Sequence, residues 1–266
     1  AAGWLSLYNI RLNSGRPSVW FGLEHYRRVL TDPAFFEALL HNLTFALIVV
    51  PLQTGFALAL ALLLNRPLRG MAAFRTMFFM PVVFPMALVS IIWLLIYSRS
   101  DLGLLNAALH WVSFGHLGPY DWLGNTSTAM GSIIVLSIWQ GVGFQMVILL
   151  AGLQGIPTEL YEAARLDKAN KWQIFRHVTV PGLRNTLVFV AMVTTIFAFR
   201  LFDQVYVMTQ GGPEGSTTTV MFLAVRTAFA ENNIGRGAAV TVVFFVIVLL
   251  ITLIQRRLLR EEREVS

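Results

Sequence analysis

Long apolar runs separated by shorter polar connectors are the dominant pattern of this chain. Five runs stand out: Phe36 to Leu64, Phe74 to Tyr97, Met130 to Gly152, Asn185 to Met208 and Ala238 to Ile254. Each is long enough for a tilted helix of about 20 residues, which matches the thickness of a bilayer. The pattern predicts an all-α integral membrane protein, a multi-pass helix bundle whose solvent is lipid. The opening residues, Ala1-Ala2-Gly3-Trp4-Leu5 with no initiator methionine, read as the end of a sixth helix whose first part is missing. No internal repeat or low-complexity tract divides the sequence, and residues 1–266 are expected to form one transmembrane domain.

Two places interrupt the pattern. Pro81 and Pro85, in FFMPVVFPMALV, each remove a helical hydrogen bond, so the second run must kink or break. A break near the midplane frees backbone groups to face a cavity, whereas a kink serves only packing, and the residues fit both readings. The other interruption is polar. Pro157 to Pro181, within a loop of residues 153–183, carries charges of both signs between the third and fourth runs. Pro157 suits a first helical turn and Glu159 and Glu162 sit near its positive end, which predicts a short helix to about Leu166. Asn170 with Gln173 three residues on has the form of a capping box, so a second short helix should follow a turn at Asp167 to Ala169 and end before Pro181.

Composition supports the membrane reading: 56% of residues are hydrophobic and 13% charged, about half the charged share usual in soluble domains. The net charge of +6 comes almost wholly from arginine, since only Lys168 and Lys171 are lysines. It reads as topology and contact with lipid headgroups, and no basic, aromatic-interleaved patch suggests nucleic acid. Arg66, Arg69 and Arg75 mark one connector. Arg165, Lys168, Lys171, Arg176 and Arg184 mark the polar loop, and Arg256, Arg257, Arg260 and Arg263 mark the tail. All three fall on one side if the five runs alternate, and the positive-inside bias makes that side cytoplasmic. Arg11, Arg16, Arg27 and Arg28 then lie outside, against the bias, as an upstream helix with its own charges would explain. Cysteine is absent, which excludes disulfides, thiolate metal sites and cysteine nucleophiles within the chain.

Glu162-Ala163-Ala164, followed by Asp167, Ala169, Phe175 and Pro181, resembles the EAA loop of permease subunits of ATP-binding-cassette importers. The likeness extends through Phe202-Asp203-Gln204-Val205-Tyr206-Val207-Met208-Thr209, Gly211-Gly212-Pro213 and Arg226-Thr227-Ala228-Phe229, which are similar to the maltose-permease group of carbohydrate transporters. With NLTFALIVVP near Asn42 and FRTMFFMP near Phe74, it covers nearly the whole chain. The resemblance implies a six-helix permease bundle in a bacterial or archaeal inner membrane. Its implied partners are a second, homologous permease subunit, two cytoplasmic ATPase subunits that bind the ATP and magnesium, and an extracellular or periplasmic solute-binding protein. It also implies that Glu162, Ala163, Ala164 and Asp167, with Lys168 and Ala169 in the turn, belong to a coupling helix that docks on the ATPase. Lys168 departs from the family, which usually has glycine there, and a side chain in a left-handed turn costs roughly 1 kcal/mol.

Polar residues inside the apolar runs are expensive and therefore mark candidate sites. Arg200 and Asp203, at i and i+3, would share one helical face and could pair with each other or serve a structural ion pair elsewhere. Phe199 and Phe202 flank them, and aromatic faces beside hydrogen-bonding groups suit a sugar ring. Trp139, Gln140, Gly141, Phe144 and Gln145 place two amides and two aromatics in the third run. By resemblance, Gly141, Phe144 and Thr194 match positions that line the maltose-type site, while Ala198 replaces a polar family position. Gly141 and Gly143 equally suit close helix packing. His41 and Asn42 are expected to hydrogen-bond to a neighbouring helix. His110 and His116 lack metal spacing, and the loop bearing Asp101, Trp111, Tyr120, Asp121 and Trp122 is either a landing surface for the binding protein or a folded cap.

Neither lysine follows a phosphate-binding glycine motif, and no triad or paired-carboxylate spacing singles out catalysis. The expected function is the non-enzymatic permease of an importer for a sugar, an oligosaccharide or a polyol derivative such as a glycerophosphodiester, with no cofactor or metal of its own. The alternatives are a secondary transporter driven by an ion gradient, which leaves the EAA loop unexplained, and an intramembrane enzyme.

Overall fold

The computed structural model describes residues 2–12, 18–65, 70–100 and 103–258. Arg16, Arg66, Arg69, Asp101, Arg260 and Arg263 lie outside the described residues. The chain enters through α1 (Ala2–Leu5), a two-residue hairpin of β1 (Tyr8–Asn9) with β2 (Val19–Trp20), and α2 (Glu24–Leu30). Arg27 and Arg28 on α2 are drawn to Glu24 at 3.7 and 3.0 Å, which offsets their charge on the side where arginine is disfavoured.

The first long helix, α3 (Pro33–Leu64), starts three residues before the apolar run. The Asp32 side chain accepts from the Ala34 amide at 3.0 Å and Pro33 supplies a pre-set first turn. The second run is broken: α4 (Met71–Val83) and α5 (Met86–Ile96) meet at 100°. Pro81 stays within α4, and the interruption falls at Phe84, whose ψ of 141° is extended. A residue before proline is pushed out of the helical region, and Pro85 then opens α5. The pair still traverses the bundle. Met71 packs in the cluster of Leu149 and Leu153 near one end of α7 (Ala129–Gln154), and the Tyr97 hydroxyl donates to the Ser132 carbonyl near the other.

Between these spans, α6 (Leu104–Val112) caps one end. After α7 the polar loop forms α8 (Thr158–Leu166) and α9 (Lys171–Ile174), which runs through a π-turn at Phe175–Thr179 into α10 (Val180–Gly182). The second loop helix therefore continues past Pro181 and does not end before it. The π-turn changes the hydrogen-bond register just ahead of the proline, which has no amide to give. A 66° bend leads into α11 (Arg184–Phe199).

The fourth run is also not one helix. The 16 residues of α11 rise roughly 24 Å, short of the ~30 Å hydrocarbon core. The chain unwinds at Arg200 to Phe202 and resumes as a π-turn at Val205–Thr209. After a turn built on Gly211, α12 (Val220–Val225) with its π-turn (Arg226–Ala230) leads to α13 (Ile234–Leu258), against which α1 and α2 pack.

Among the described residues, α3, α7 and α13 are each long and apolar enough to cross a bilayer unbroken, and the bent runs from α4 to α5 and from α9 to α11 are apolar and long enough to do so as broken spans. Burial is inverted relative to a soluble protein. Asn42, Ser90 and Gln145 are buried while Leu47, Leu63, Leu95 and Phe245 are exposed, as expected where the outer solvent is hydrocarbon. The α3–α7 contact is held close by Ala57 and Ala61, both fully buried against Met146 and Leu149.

Candidate functional site

A cavity of about 440 Å³ opens where α3, the Phe84 break, α7 and the end of α11 converge. That volume lies within the roughly 300–1,000 Å³ of small-molecule sites. Gln140 and Gly141 fall at the middle of the 26-residue α7, so the cavity sits near the midplane. Its position follows from the two broken runs. At the first break Gln140 Nε2 donates to the carbonyl of Phe84, the extended residue that ends α4, at 3.1 Å, while the Leu88 amide bonds the Pro85 carbonyl. At the second, the Thr219 hydroxyl donates to the Leu201 carbonyl at 2.8 Å. Both stretches of non-helical backbone border the cavity, an arrangement in which a bilayer tolerates them.

Four glutamines line the space: Gln53, Gln140, Gln145 and Gln204, each at most 7% exposed. Gln204 Nε2 donates to Ser137 Oγ at 3.2 Å. Thr194 Oγ1 spends its proton on the Val190 carbonyl at 2.7 Å, so it must accept from Gln145 Nε2, which leaves the Gln145 Oε1 buried without a partner. Phe84, Phe144 and Phe197 supply aromatic walls. A Cβ on Gly141 would lie 2.3 Å from Gln53 Nε2, and one on Gly143 would lie 1.9 Å from the Phe78 carbonyl oxygen. Gly143 thus serves close packing of α4 on α7, while Gly141 leaves room for an amide at the cavity wall.

Of the residues singled out in the sequence, Gln140, Gly141, Phe144, Gln145, Thr194, Arg200 and Asp203 meet at this cavity. Two do not. Trp139 points to the other side of α7, where its ring meets Trp93 at 5.5 Å, and Phe199 is 2% exposed in the core against Phe244. Helical rotation carries each away from its neighbour in sequence. The expected pairing of Arg200 with Asp203 is also absent: α11 ends at Phe199, the two do not share a helical face, and both side chains stay exposed at the rim without an ion pair. Sequence reasoning missed Gln53, Phe84 and Gln204. Gln53, a lone amide amid the apolar run of α3, was the available signal. His41 Nδ1 lies 2.9 Å from the Thr218 carbonyl and Asn42 Oδ1 accepts from the Val220 amide at 2.9 Å, so both bind a neighbouring segment as expected.

The polar loop keeps Glu162, Ala163, Asp167 and Lys168 exposed and Ala164 and Ala169 half-buried. Lys168 adopts φ +57°, the left-handed turn that glycine favours, and Asn170 and Gln173 form the expected capping box with bonds of 2.9 and 2.7 Å. Tyr161 and Thr179 hydroxyls, 3.2 Å apart, tie α8 to the π-turn. Leu160, Leu166 and Trp172 are left exposed by 51, 83 and 66%, an apolar surface on an otherwise charged element.

Residues 53–264 match the family model described as the binding-protein-dependent transport system inner membrane component. The chain belongs to that family. It is the membrane-spanning permease of an ATP-binding-cassette import system, a translocation subunit and not an enzyme, which removes the ion-driven and intramembrane-enzyme alternatives. The permease is 37% identical to the probable ABC transporter permease protein YurN of Bacillus subtilis, over 92% of this chain and 84% of that one. It is 34% identical to the trehalose/maltose transport system permease protein MalF of Thermococcus litoralis, over 98% and 86%. Its fold is similar to that of a bacterial ABC transporter involved in the import of the acidic polysaccharide alginate, with TM-score 0.83, 20% identity, and 98% and 88% of the two chains covered.

Proposed function

We propose that this permease moves a sugar, an oligosaccharide or a related polyol derivative, such as a glycerophosphodiester, through the midplane cavity. The whole chain would act as one permease domain beside a second, homologous permease, fed from outside by a solute-binding protein and driven by two cytoplasmic ATPases that bind ATP and magnesium. The solute class is supported by the four buried glutamines set among phenylalanine faces, because amides bond hydroxyl edges while aromatic rings cover the apolar faces of a sugar. Relatives named for trehalose/maltose, arabinooligosaccharides and sulfoquinovosyl glycerol point the same way.

The coupling surface is α8 with its turn: Glu162, Ala163, Ala164, Asp167, Lys168 and Ala169. The observation that carries this reading is the apolar surface of Leu160, Leu166 and Trp172, exposed on a polar element that has no use for it alone. The loop is joined to the transport path by a short mechanical route. Ile156 and Leu183 anchor it in the cluster shared with α7 and α11, and farther along those helices lie Gln140, Gln145, Thr194 and Phe197. A push on α8 therefore bears directly on the helices that shape the cavity.

Glu162→Lys and Ala164→Asp place charge on the docking face. Solute uptake should be lost while basal ATP hydrolysis persists and no longer responds to binding protein and solute. Wild-type uptake and stimulated hydrolysis in both variants would refute the coupling role.

A further inference from the structure

Between α5 and α7 the connector folds into a fixed platform, with Arg99 paired to Asp121 at 3.6 Å, and residues 103–120 present an aromatic face outward. Asn106, 2% exposed, uses its full hydrogen-bonding capacity to build it. Its Nδ2 donates to the Ser98 and Tyr120 carbonyls, each at 3.0 Å, and its Oδ1 accepts from the Tyr120 amide at 3.1 Å and Trp122 Nε1 at 2.9 Å. Leu105 and Trp122 both pack on the buried cluster of Val89, Tyr97, Leu136 and Met208. The orientation of α6 is thereby set, and its outer face leaves Leu104, Trp111, Val112 and Phe114 exposed by 66, 81, 68 and 91%.

Two observations identify what covers this face. The stretch 103–120 contains no Asp, Glu, Lys or Arg, so it offers nothing to the charge complementarity that steers one protein onto another. The helix it packs on, α5, likewise leaves Leu88, Ile91, Ile92 and Leu95 exposed by 47, 55, 50 and 72%, an apolar stripe of the kind a bilayer covers. The platform stands beside the first turn of α7, at the end of the bundle opposite the polar loop, where Tyr97, Tyr120 and Trp122 cluster as aromatic residues do at a membrane boundary.

We infer that α6 is an interfacial helix, seated in the headgroup region of the outer leaflet through Trp111, Val112 and Phe114. Its partner is a lipid surface of any headgroup charge, because the contact has no ionic part. Seated there, the platform fixes how deep the end of α5, and with it the cavity-lining Phe84 break, lies in the bilayer.

The chain contains no cysteine, so single labels can be placed cleanly. Phe114→Cys and, separately, Trp111→Cys are nitroxide-labelled in the assembled transporter, with cysteine-free partner subunits, in phosphatidylcholine nanodiscs without binding protein. Collisions are measured with oxygen, which enriches in lipid, and with a water-soluble nickel chelate. Ile92→Cys serves as the lipid reference and Arg99→Cys as the aqueous one. The oxygen-to-nickel ratio at both test sites should be several-fold above that at Arg99→Cys and approach that at Ile92→Cys, and it should be unchanged in anionic lipid. An aqueous ratio overturns the inference, and immobilisation only on adding binding protein would reassign the face to that protein. Inaccessibility to both reagents also overturns it, because a neighbouring subunit would then cover the face.

Discussion

Lys168 holds a backbone conformation that its side chain disfavours. With φ at +57°, the left-handed region, it should cost roughly 1 kcal/mol relative to glycine. Lys168→Gly is expected to stabilise the turn by about that amount, read as slower amide exchange across α8 and α9, provided uptake is retained. Gln140 carries the opposite kind of effect. Gln140→Leu removes the donor to the Phe84 carbonyl and should lower stability by about 1–3 kcal/mol, seen as a lower Tm together with reduced uptake. His25 on α2 adds a pH dependence. It is 2% exposed with no well-formed hydrogen bond to either ring nitrogen, and burial pushes its pKa below the ordinary value, more than the nearby Tyr8 carbonyl raises it. The unfolded chain then takes up the proton first, so stability is complete above about pH 6.5 and falls as pH drops toward the folded-state value. Tm should decline on acidification through that window, and His25→Phe should flatten the decline. The capping box at Asn170 and the turn at Lys168 were legible in the sequence because both depend on residues three or fewer positions apart. The directions of Trp139 and Phe199 were not, since which side of a helix faces a cavity depends on helices far away in the chain.

Breaks in helices decide where this permease forms its cavity. Pro85 ends α4 through its effect on Phe84, and the unwinding after Phe199 separates Arg200 from Asp203; each break delivers backbone and side chains to one cavity. The prolines announced the first break. Nothing comparable announced the second, because Arg200-Leu201-Phe202 has no helix-breaking residue and its Leu201 carbonyl is satisfied by Thr219, 18 residues on. Packing of α4 on α7 depends on Gly143. A methyl group there would overlap the Phe78 backbone, so Gly143→Ala should force α4 outward and cost about 1–3 kcal/mol. Uptake should fall with it, and a Gly143→Ala variant with unaltered Tm and uptake would show that α4 can yield.

The first and last long helices are joined at one end of the bundle by a contact between residues 204 positions apart. Arg236 at the start of α13 meets Asp32 at the start of α3 at 2.5 Å, with the two side chains 32 and 22% exposed. Half-screened pairs of this kind contribute little, so Arg236→Ala should lower stability by about 1 kcal/mol at most, measured by denaturation of the complex at low and high salt. The sequence by itself determined the membrane environment, the five apolar runs, the caps of the polar loop and the family. Composition, periodicity and short-range hydrogen bonding are properties of neighbouring residues. Tertiary structure alone decided that the fourth run also breaks, that four glutamines from three segments face one space, that Arg200 and Asp203 stand apart, and that Asn106 holds the loop before α7 as a platform. Each of those outcomes rests on contacts between segments tens of residues apart or on the rotation of one helix against another, and no local pattern encodes either.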